Sequence, residues 1–207
     1  MSKEPHTKEI VPWNKGRLFG PKPPLKPKQV WGIRVRLEMS SRVRDLALFD
    51  LAIDSKLRAC DLVCLKVGDV ALHGATRSRA TIIQRKTGRP VQFEITEQTR
   101  KSIKDWIDVI DPKHDDYLFP SRTNNSQPIS TRQYARLLDR WIESISLDPA
   151  AYGTHSMRRT KASIIYKKTG NLRAVQILLG HTKLESTVRY LGIEVNDALA
   201  ISEQTEI

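Results

Sequence analysis

Apolar residues recur along this chain first at helical spacing, then in alternation, then at helical spacing again. Val30, Ile33, Val35 and Leu37 give a mixed apolar face from Pro27 onward. Ser40-Ser41 offers an N-cap, after which Val43, Leu46, Ala47 and Leu51 form a core-facing stripe. A helix opening at Arg58 carries Cys60 and Cys64. Between residues 67 and 95 the period changes. Val67-Gly-Asp-Val-Ala-Leu72, Ala80-Thr-Ile-Ile-Gln84 and Val91-Gln-Phe-Glu-Ile95 predict three antiparallel strands with Gly-containing turns, and Lys86-Thr-Gly88 sits in the second turn. Helices resume with Thr99 to Ile110, stopped by Pro112. Ser130 or Thr131 then caps a helix through Tyr134, Leu137, Leu138, Trp141 and Ile142. His155 opens another through Ile164 and Tyr166. Asn171 to Leu179 is a short one stopped by Gly180, and a last helix, which Thr182 can cap, holds Tyr190. The predicted fold class is α+β: a mainly helical domain with a small three-stranded antiparallel sheet.

The first 29 residues depart from this pattern. They hold six of the eleven prolines and seven Lys or Arg against two Glu, a composition that cannot bury a core. Residues 1–26 therefore read as an extended basic arm, with Trp13 and Phe19 as its docking candidates. Residues 27–191 read as one domain, and 192–207 as an acidic tail with an apolar stripe of Val195, Ala198, Leu199 and Ile201. The stripe either docks on a neighbouring subunit or packs back on its own.

Composition narrows the function without naming it. At 207 residues the chain supports one substantial core. Its formal charge of +12 and pI near 9.9 suit a polyanionic partner, although a basic ribosomal or membrane-surface protein has the same signature. No apolar run is long enough for a transmembrane helix, and the charged, proline-studded N-terminus lacks a signal peptide's apolar region. Two cysteines four apart, with no further His or Cys at ligand spacing, read as buried structural thiols rather than a metal site, and suit a reducing compartment.

The chemistry concentrates near the C-terminus. His155-Ser-Met-Arg158, Leu179-Gly-His181 and Thr187-Val-Arg-Tyr190-Leu gather two imidazoles, a guanidinium and a phenol within a short stretch. A phenol, with an unperturbed pKa near ~10, is a poor nucleophile at neutral pH. It becomes useful against a phosphodiester whose charge is neutralised by arginine and whose leaving oxygen is protonated by a neighbour. Upstream, Lys56-Leu-Arg58-Ala-Cys-Asp61-Leu and Gln84-Arg-Lys86-Thr-Gly88 supply a second arginine and a turn lysine.

With these residues in this order, the chain resembles the tyrosine recombinases of the phage-integrase family from about Pro27 to Glu194; Tyr117-Leu-Phe-Pro120 matches a further marker. The resemblance implies a catalytic set of Arg58, Lys86, His155, Arg158, His181 and Tyr190, with Tyr190 as nucleophile, the arginines on the phosphate and Lys86 as general acid. His155 is then the base or stabiliser and His181 a phosphate hydrogen-bond donor. Arg85 competes with Lys86, because turn register is uncertain by a residue or two, and Tyr152 is the one plausible rival to Tyr190; Tyr117, Tyr134 and Tyr166 read as core. The resemblance further implies DNA strand cleavage and rejoining through a 3′-phosphotyrosyl intermediate, without metal or other cofactor. Its partners are double-stranded DNA, further copies making a tetramer on paired sites, and accessory DNA-bending proteins. The implied setting is a bacterial cytoplasm, at the nucleoid. A non-cutting DNA-binding regulator and a type IB topoisomerase-like activity are the alternatives. Three departures stand out. Lys56 replaces a frequent glycine, Arg159 replaces a frequent second histidine, and the chain is expected to lack the helical domain that usually precedes the catalytic one, as in the short fimbrial-switch type.

Overall fold

The computed structural model describes residues 22–192, together with positions 199, 202 and 203. Trp13, Phe19 and the tail positions Val195, Ala198 and Ile201 lie outside the described residues. Helix α1 (Pro27–Met39) and helix α2 (Val43–Ser55) form the start of the core. In α2, Ala47 to Ser55 are all buried, which makes it the central helix rather than a one-faced surface helix. Arg34 of α1 reaches Asp50 of α2 at 2.6 Å. Two single-turn helices, α3 (Ala59–Leu62) and α4 (Val67–Val70), lead into the strands. These are followed by α5 (Glu97–Ile110) and α6 (Thr131–Ser144). The last helices are α7 (Thr154–Thr169), α8 (Leu172–Leu179) and α9 (Leu184–Leu191).

Helix α6 shows how sequence dictates packing. Ser130 accepts a hydrogen bond from the Gln133 N–H, closing the N-terminus. Tyr134, Leu137, Leu138, Trp141 and Ile142 then fall on one face and are all buried, each worth about 1.5–3 kcal/mol. Trp141 meets Phe49 of α2 edge to face, with ring centroids 5.4 Å apart.

The sheet differs from the expectation. Instead of three strands, the structure has two separate antiparallel pairs: β1 (Ala71–Leu72) with β2 (Ala75–Thr76), and β3 (Arg79–Ile83) with β4 (Pro90–Glu94). Val67–Val70 winds into a turn of helix because its donors are taken elsewhere. Asp69 Oδ2 accepts from the Lys66 N–H, while the N–H groups of Val67 and Gly68 bond the carbonyls of Asp116 and His114. His73 and Gly74, both at positive φ, close the short β1–β2 hairpin.

Smaller corrections have local causes. Ser40 closes α1 and Ser41 is left-handed, so Arg42 is the N-cap of α2 and supplies no side-chain cap. Lys183, not Thr182, precedes α9. Cys60 and Cys64 are half-buried free thiols, and Cys64 Sγ takes a contact from Arg85 Nη1 at 2.7 Å. Of the tyrosines read as core, Tyr134 is buried, whereas Tyr117 and Tyr166 are half-buried. Residues 22–26 are not free arm: Leu25 is buried, and its N–H bonds Thr160 Oγ1 of α7 at 3.0 Å. Among the described residues, no helix is long and apolar enough to cross a membrane, and no cluster of His, Cys, Asp or Glu is arranged to hold a metal ion.

Candidate active site

The site stands on a buried ionic floor. Asp54, at the C-terminal end of α2, bonds Lys161 of α7 at 2.6 Å and caps the start of α5 through Thr96 N and Oγ1 at 2.8 and 2.7 Å. Glu94 of β4 bonds Lys161 at 2.7 Å and Lys56 at 2.9 Å. Burial pushes both carboxyls up, but the hydrogen bonds and charges of the lysines outweigh it and hold both below the usual carboxylate range. Lys56 is left-handed (φ 54°), the conformation glycine adopts at no steric cost, and its buried ammonium spans from the Asp54 carbonyl to Glu94. The floor thus joins α2, β4, α5 and α7.

Two residues past Lys56, the chain turns extended at Arg58, the N-cap of α3. Arg58 Nη1 donates to Gln84 Oε1 at 2.6 Å. Gln84 is buried at the end of β3 and takes a second hydrogen bond from Thr87 Oγ1, while its carbonyl accepts from Gly88 N–H. It therefore ties the β3–β4 turn to Arg58. In that turn Lys86 is exposed, whereas its neighbour Arg85 is engaged with Cys64 and, through its N–H, with Asp61. Lys86 makes no hydrogen bond to the other five candidates, but its charge is felt at His155.

Helix α7 contributes His155 and Arg158, and the turn after α8 and helix α9 contribute His181 and Tyr190. Arg158 is 3% exposed, and its Nη2 donates to the Leu179 carbonyl at 2.6 Å, tying α7 to the end of α8. Its Nε is buried without a partner. Gly180 must be glycine here, because φ is +65° and a Cβ would sit 2.5 Å from Val91 Cγ2. The resulting turn presents His181, whose Nδ1 lies 3.1 Å from the buried Thr187 hydroxyl. Tyr190 of α9 packs its ring edge to face on His181, centroids 5.3 Å apart. Its hydroxyl points to the His155 carbonyl at 3.5 Å, and the guanidinium carbons of Arg158 and Arg159 lie 5.7 and 4.6 Å from its ring centroid. The rival Tyr152 is turned away: its hydroxyl takes a hydrogen bond from Gln29 of α1 at 3.4 Å.

Electrostatics follow from this crowding. Burial, and then Arg158 and Arg58, bring the His181 imidazole down to about 4. Burial, followed by Arg159, Arg158, Arg58 and Lys86, lowers His155. Both imidazoles are therefore neutral at pH 7. Burial pushes the Tyr190 phenol up to about 12, with the three arginines pulling the other way. Among the described residues none of Arg58, Arg158, Arg159 or Lys86 has an ion-pair partner. Five of the six candidates thus share one basic surface, and Lys86 joins it on the neighbouring turn. A groove of about 830 Å³ lies elsewhere, lined by residues including Arg42, Trp106 and Tyr117, and none of the six touches it. Sequence reading missed Gln84, Arg159 as a contact of Tyr190, and the Lys56–Lys161 floor. Gln84 left a signal: in the alternation of β3 it occupies the inward register after Ala80 and Ile82, where a polar residue needs a reason.

Comparison with known proteins supplies the class. The phage integrase family model matches residues 25–196, and the chain belongs to that family. It is 30% identical over 156 residues to the probable integrase/recombinase YoeC of Bacillus subtilis, covering 75% of this chain and 81% of that one. It is 27% identical over 165 residues to the tyrosine recombinase XerC of Psychromonas ingrahamii, of which it spans 53%. The fold is similar to the crystal structure of XerA recombinase, with a TM-score of 0.70 and 20% identity over 87% of this chain and 62% of that one. It is also similar to XerH site-specific recombinase bound to a palindromic difH substrate, with a TM-score of 0.69 and 19% identity over 88% of this chain and 53% of that one. The chain therefore spans about half the length of some relatives.

Proposed function

We propose that this protein is a site-specific DNA recombinase that cuts and rejoins DNA through Tyr190. The observation that carries the reading is the convergence of a packed phenol with two neutral imidazoles and arginines that lack carboxylate partners. Such uncompensated positive charge suits a phosphodiester, and a regulator that never cuts has no use for the phenol. Arg58 and Arg158 bind the nonbridging oxygens, where charge grows in the transition state. The Tyr190 oxygen attacks phosphorus as its proton passes to neutral His155. The bond to the 5′ oxygen breaks, and Lys86 protonates that oxygen, leaving a 3′-phosphotyrosyl ester and a 5′-hydroxyl. His181 donates a hydrogen bond to phosphate. One phosphodiester is exchanged for another, so the chemistry calls for no nucleotide or metal, and the reverse reaction rejoins the strands.

Double-stranded DNA is the partner. Exchange between two duplexes needs four nucleophiles, hence a tetramer on paired sites, assisted by DNA-bending proteins at the nucleoid. Residues 27–191 form the catalytic domain, the segment before Lys22 a rudimentary basic clamp, and residues 192–207 a tail that docks on a neighbouring subunit. A nicked suicide duplex from DNA flanking the gene tests the reading. In EDTA it should trap a covalent protein–DNA adduct, and a strict requirement for a divalent ion would refute it.

A further inference from the structure

Arg159 follows the phosphate-binding Arg158 on α7 but is engaged quite differently. Its guanidinium carbon lies 4.6 Å from the centroid of the Tyr190 ring, closer than that of Arg158 at 5.7 Å. Its Nη1 donates to the carbonyl of Lys22 at 2.6 Å. One side chain thus spans from the nucleophile's ring to the segment that precedes α1. That segment, Lys22-Pro-Pro-Leu-Lys26, is itself fastened to α7 and its approach. The Leu25 N–H bonds Thr160 Oγ1, which in turn bonds the Ser156 carbonyl at 2.8 Å, and Lys22 Nζ bonds the Tyr152 carbonyl. Leu25 is 2% exposed and belongs to the main core. Pro23 and Pro24 have no N–H to satisfy and pre-set an extended backbone, so ordering this segment costs little entropy.

We propose that Arg159 is a positioning residue for Tyr190, and that Lys22–Leu25 is a strap holding Arg159 against the ring, so that the segment entering the domain sets the geometry of strand cleavage. This role presupposes that Tyr190 is the nucleophile. A cation held over an aromatic face is attracted by the ring quadrupole, and the attraction grows as water is excluded. Arg158 is already committed to the Leu179 carbonyl, whereas Arg159 takes its fixed point from the strap. The ring also meets His181 edge to face, so a guanidinium and an imidazole both bear on the phenol. Without Arg159 the ring loses its nearest cation and keeps the His181 edge, the more distant Arg158, the apolar cluster of Ala162, Val175 and Leu179, and the long contact to the His155 carbonyl.

The test uses the full chain with Arg159→Ala, Arg159→Lys, the strap variant P23G/P24G, and P23G/P24G combined with Arg159→Ala. Melting temperatures identify any variant that does not fold. Arg159→Ala should slow adduct formation on a suicide duplex about tenfold while DNA affinity stays within about twofold. Arg159→Lys, which keeps a cation over the ring, should recover part of the rate. P23G/P24G should slow the reaction less, and the combined variant should be no slower than Arg159→Ala alone, because the strap acts through that side chain. Additive losses, or a loss confined to DNA affinity, overturn the proposal. Ring resonances of Tyr190 in protein carrying 13C-labelled tyrosine give a readout that needs no DNA. They should shift in both Arg159→Ala and P23G/P24G, and an unmoved signal in the strap variant overturns the coupling. Shifted resonances in a protein that never forms adduct would sink the recombinase reading and leave the strap contact standing.

Discussion

Two clusters of charge draw on the same helix α7 and the same stretch from Lys56 to Arg58, and they obey opposite rules. In the floor, Lys56 and Lys161 share Glu94, and Lys161 also holds Asp54, so each cation has a carboxylate within 3 Å. In the second cluster, Arg58, Arg158, Arg159 and Lys86 have no ion-pair partner among the described residues, and each fixed guanidinium leans on a neutral oxygen instead: Gln84, Leu179 or Lys22. Buried charge is costly unless paired, so the floor is structure. Neutral anchors hold a guanidinium in place without neutralising its charge. The second cluster is thereby reserved for an anion that the protein does not itself provide. Arg158 with its unpartnered buried Nε is the clearest case, since that donor gains a partner only when something enters.

The comparison predicts different losses when each cluster is broken. On the proposed mechanism, Arg58→Ala removes a charge interaction formed in the transition state. Strand cleavage should fall by about a hundredfold to a thousandfold with little change in melting temperature, as measured by single-turnover adduct formation. Equal loss of stability and rate would put Arg58 with the floor. Glu94→Ala leaves the buried Lys56 without its carboxylate, while Lys161 keeps Asp54, and should cost about 2–3 kcal/mol of unfolding free energy in denaturant titrations. Its activity at saturating stability, for instance at low temperature, should be much less affected than that of Arg58→Ala.

Acid should separate the clusters by pH window. His181 is held at about 4 in the fold, against an ordinary imidazole value of 6.5, so the unfolded chain takes up a proton in that window that the native protein refuses. Stability therefore declines as pH falls from about 6.5 toward 4, with His155 acting in the same direction. Asp54 and Glu94 sit below the ordinary carboxylate range, so their contribution is present above it and is lost only on further acidification. Melting temperatures across pH should show both limbs, and His181→Asn should shrink the first, leaving the share of His155, without touching the second. A single limb unchanged by that substitution contradicts the assignment. The smallest effect concerns the segment before Lys22, which carries Lys3, Lys8, Lys15 and Arg17. Deleting residues 1–21 should lower the salt slope of DNA binding by about 0.9 for each phosphate that the segment neutralises, and an unchanged slope would place the segment off the DNA.

The same contrast explains what could be read from sequence. Arg58, His155, Arg158, His181 and Tyr190 could be picked out as candidates because their chemistry is unusual and their order is informative, and the structure gathers these candidates in one place. Helices α5 and α6 were legible because their apolar residues keep helical period from Ile103 to Ile110 and from Tyr134 to Ile142. The floor was not legible. Lys161 pairs with Asp54 across 107 positions, and a lysine in a helix reads as solvated until its partner is placed in space. The third strand failed for a similar reason, since the donors of Val67 and Gly68 are claimed by a loop some fifty residues on. The strap was hidden by its prolines, which mark a segment that cannot build a core yet can lie along one. Leu25, the one apolar residue among them, was the available clue.

If the unpaired cluster serves to let Tyr190 attack phosphorus, one substitution should reveal it. Tyr190→Phe keeps the ring packed on His181 and under Arg159 while removing the nucleophilic oxygen. On a nicked suicide duplex resolved under denaturing conditions, the wild-type protein should form an adduct whose phosphate maps by peptide mass to Tyr190. The Phe variant should bind the same duplex with unchanged affinity and form none. An adduct from the Phe variant, or a phosphate mapped to Tyr152, would contradict the account.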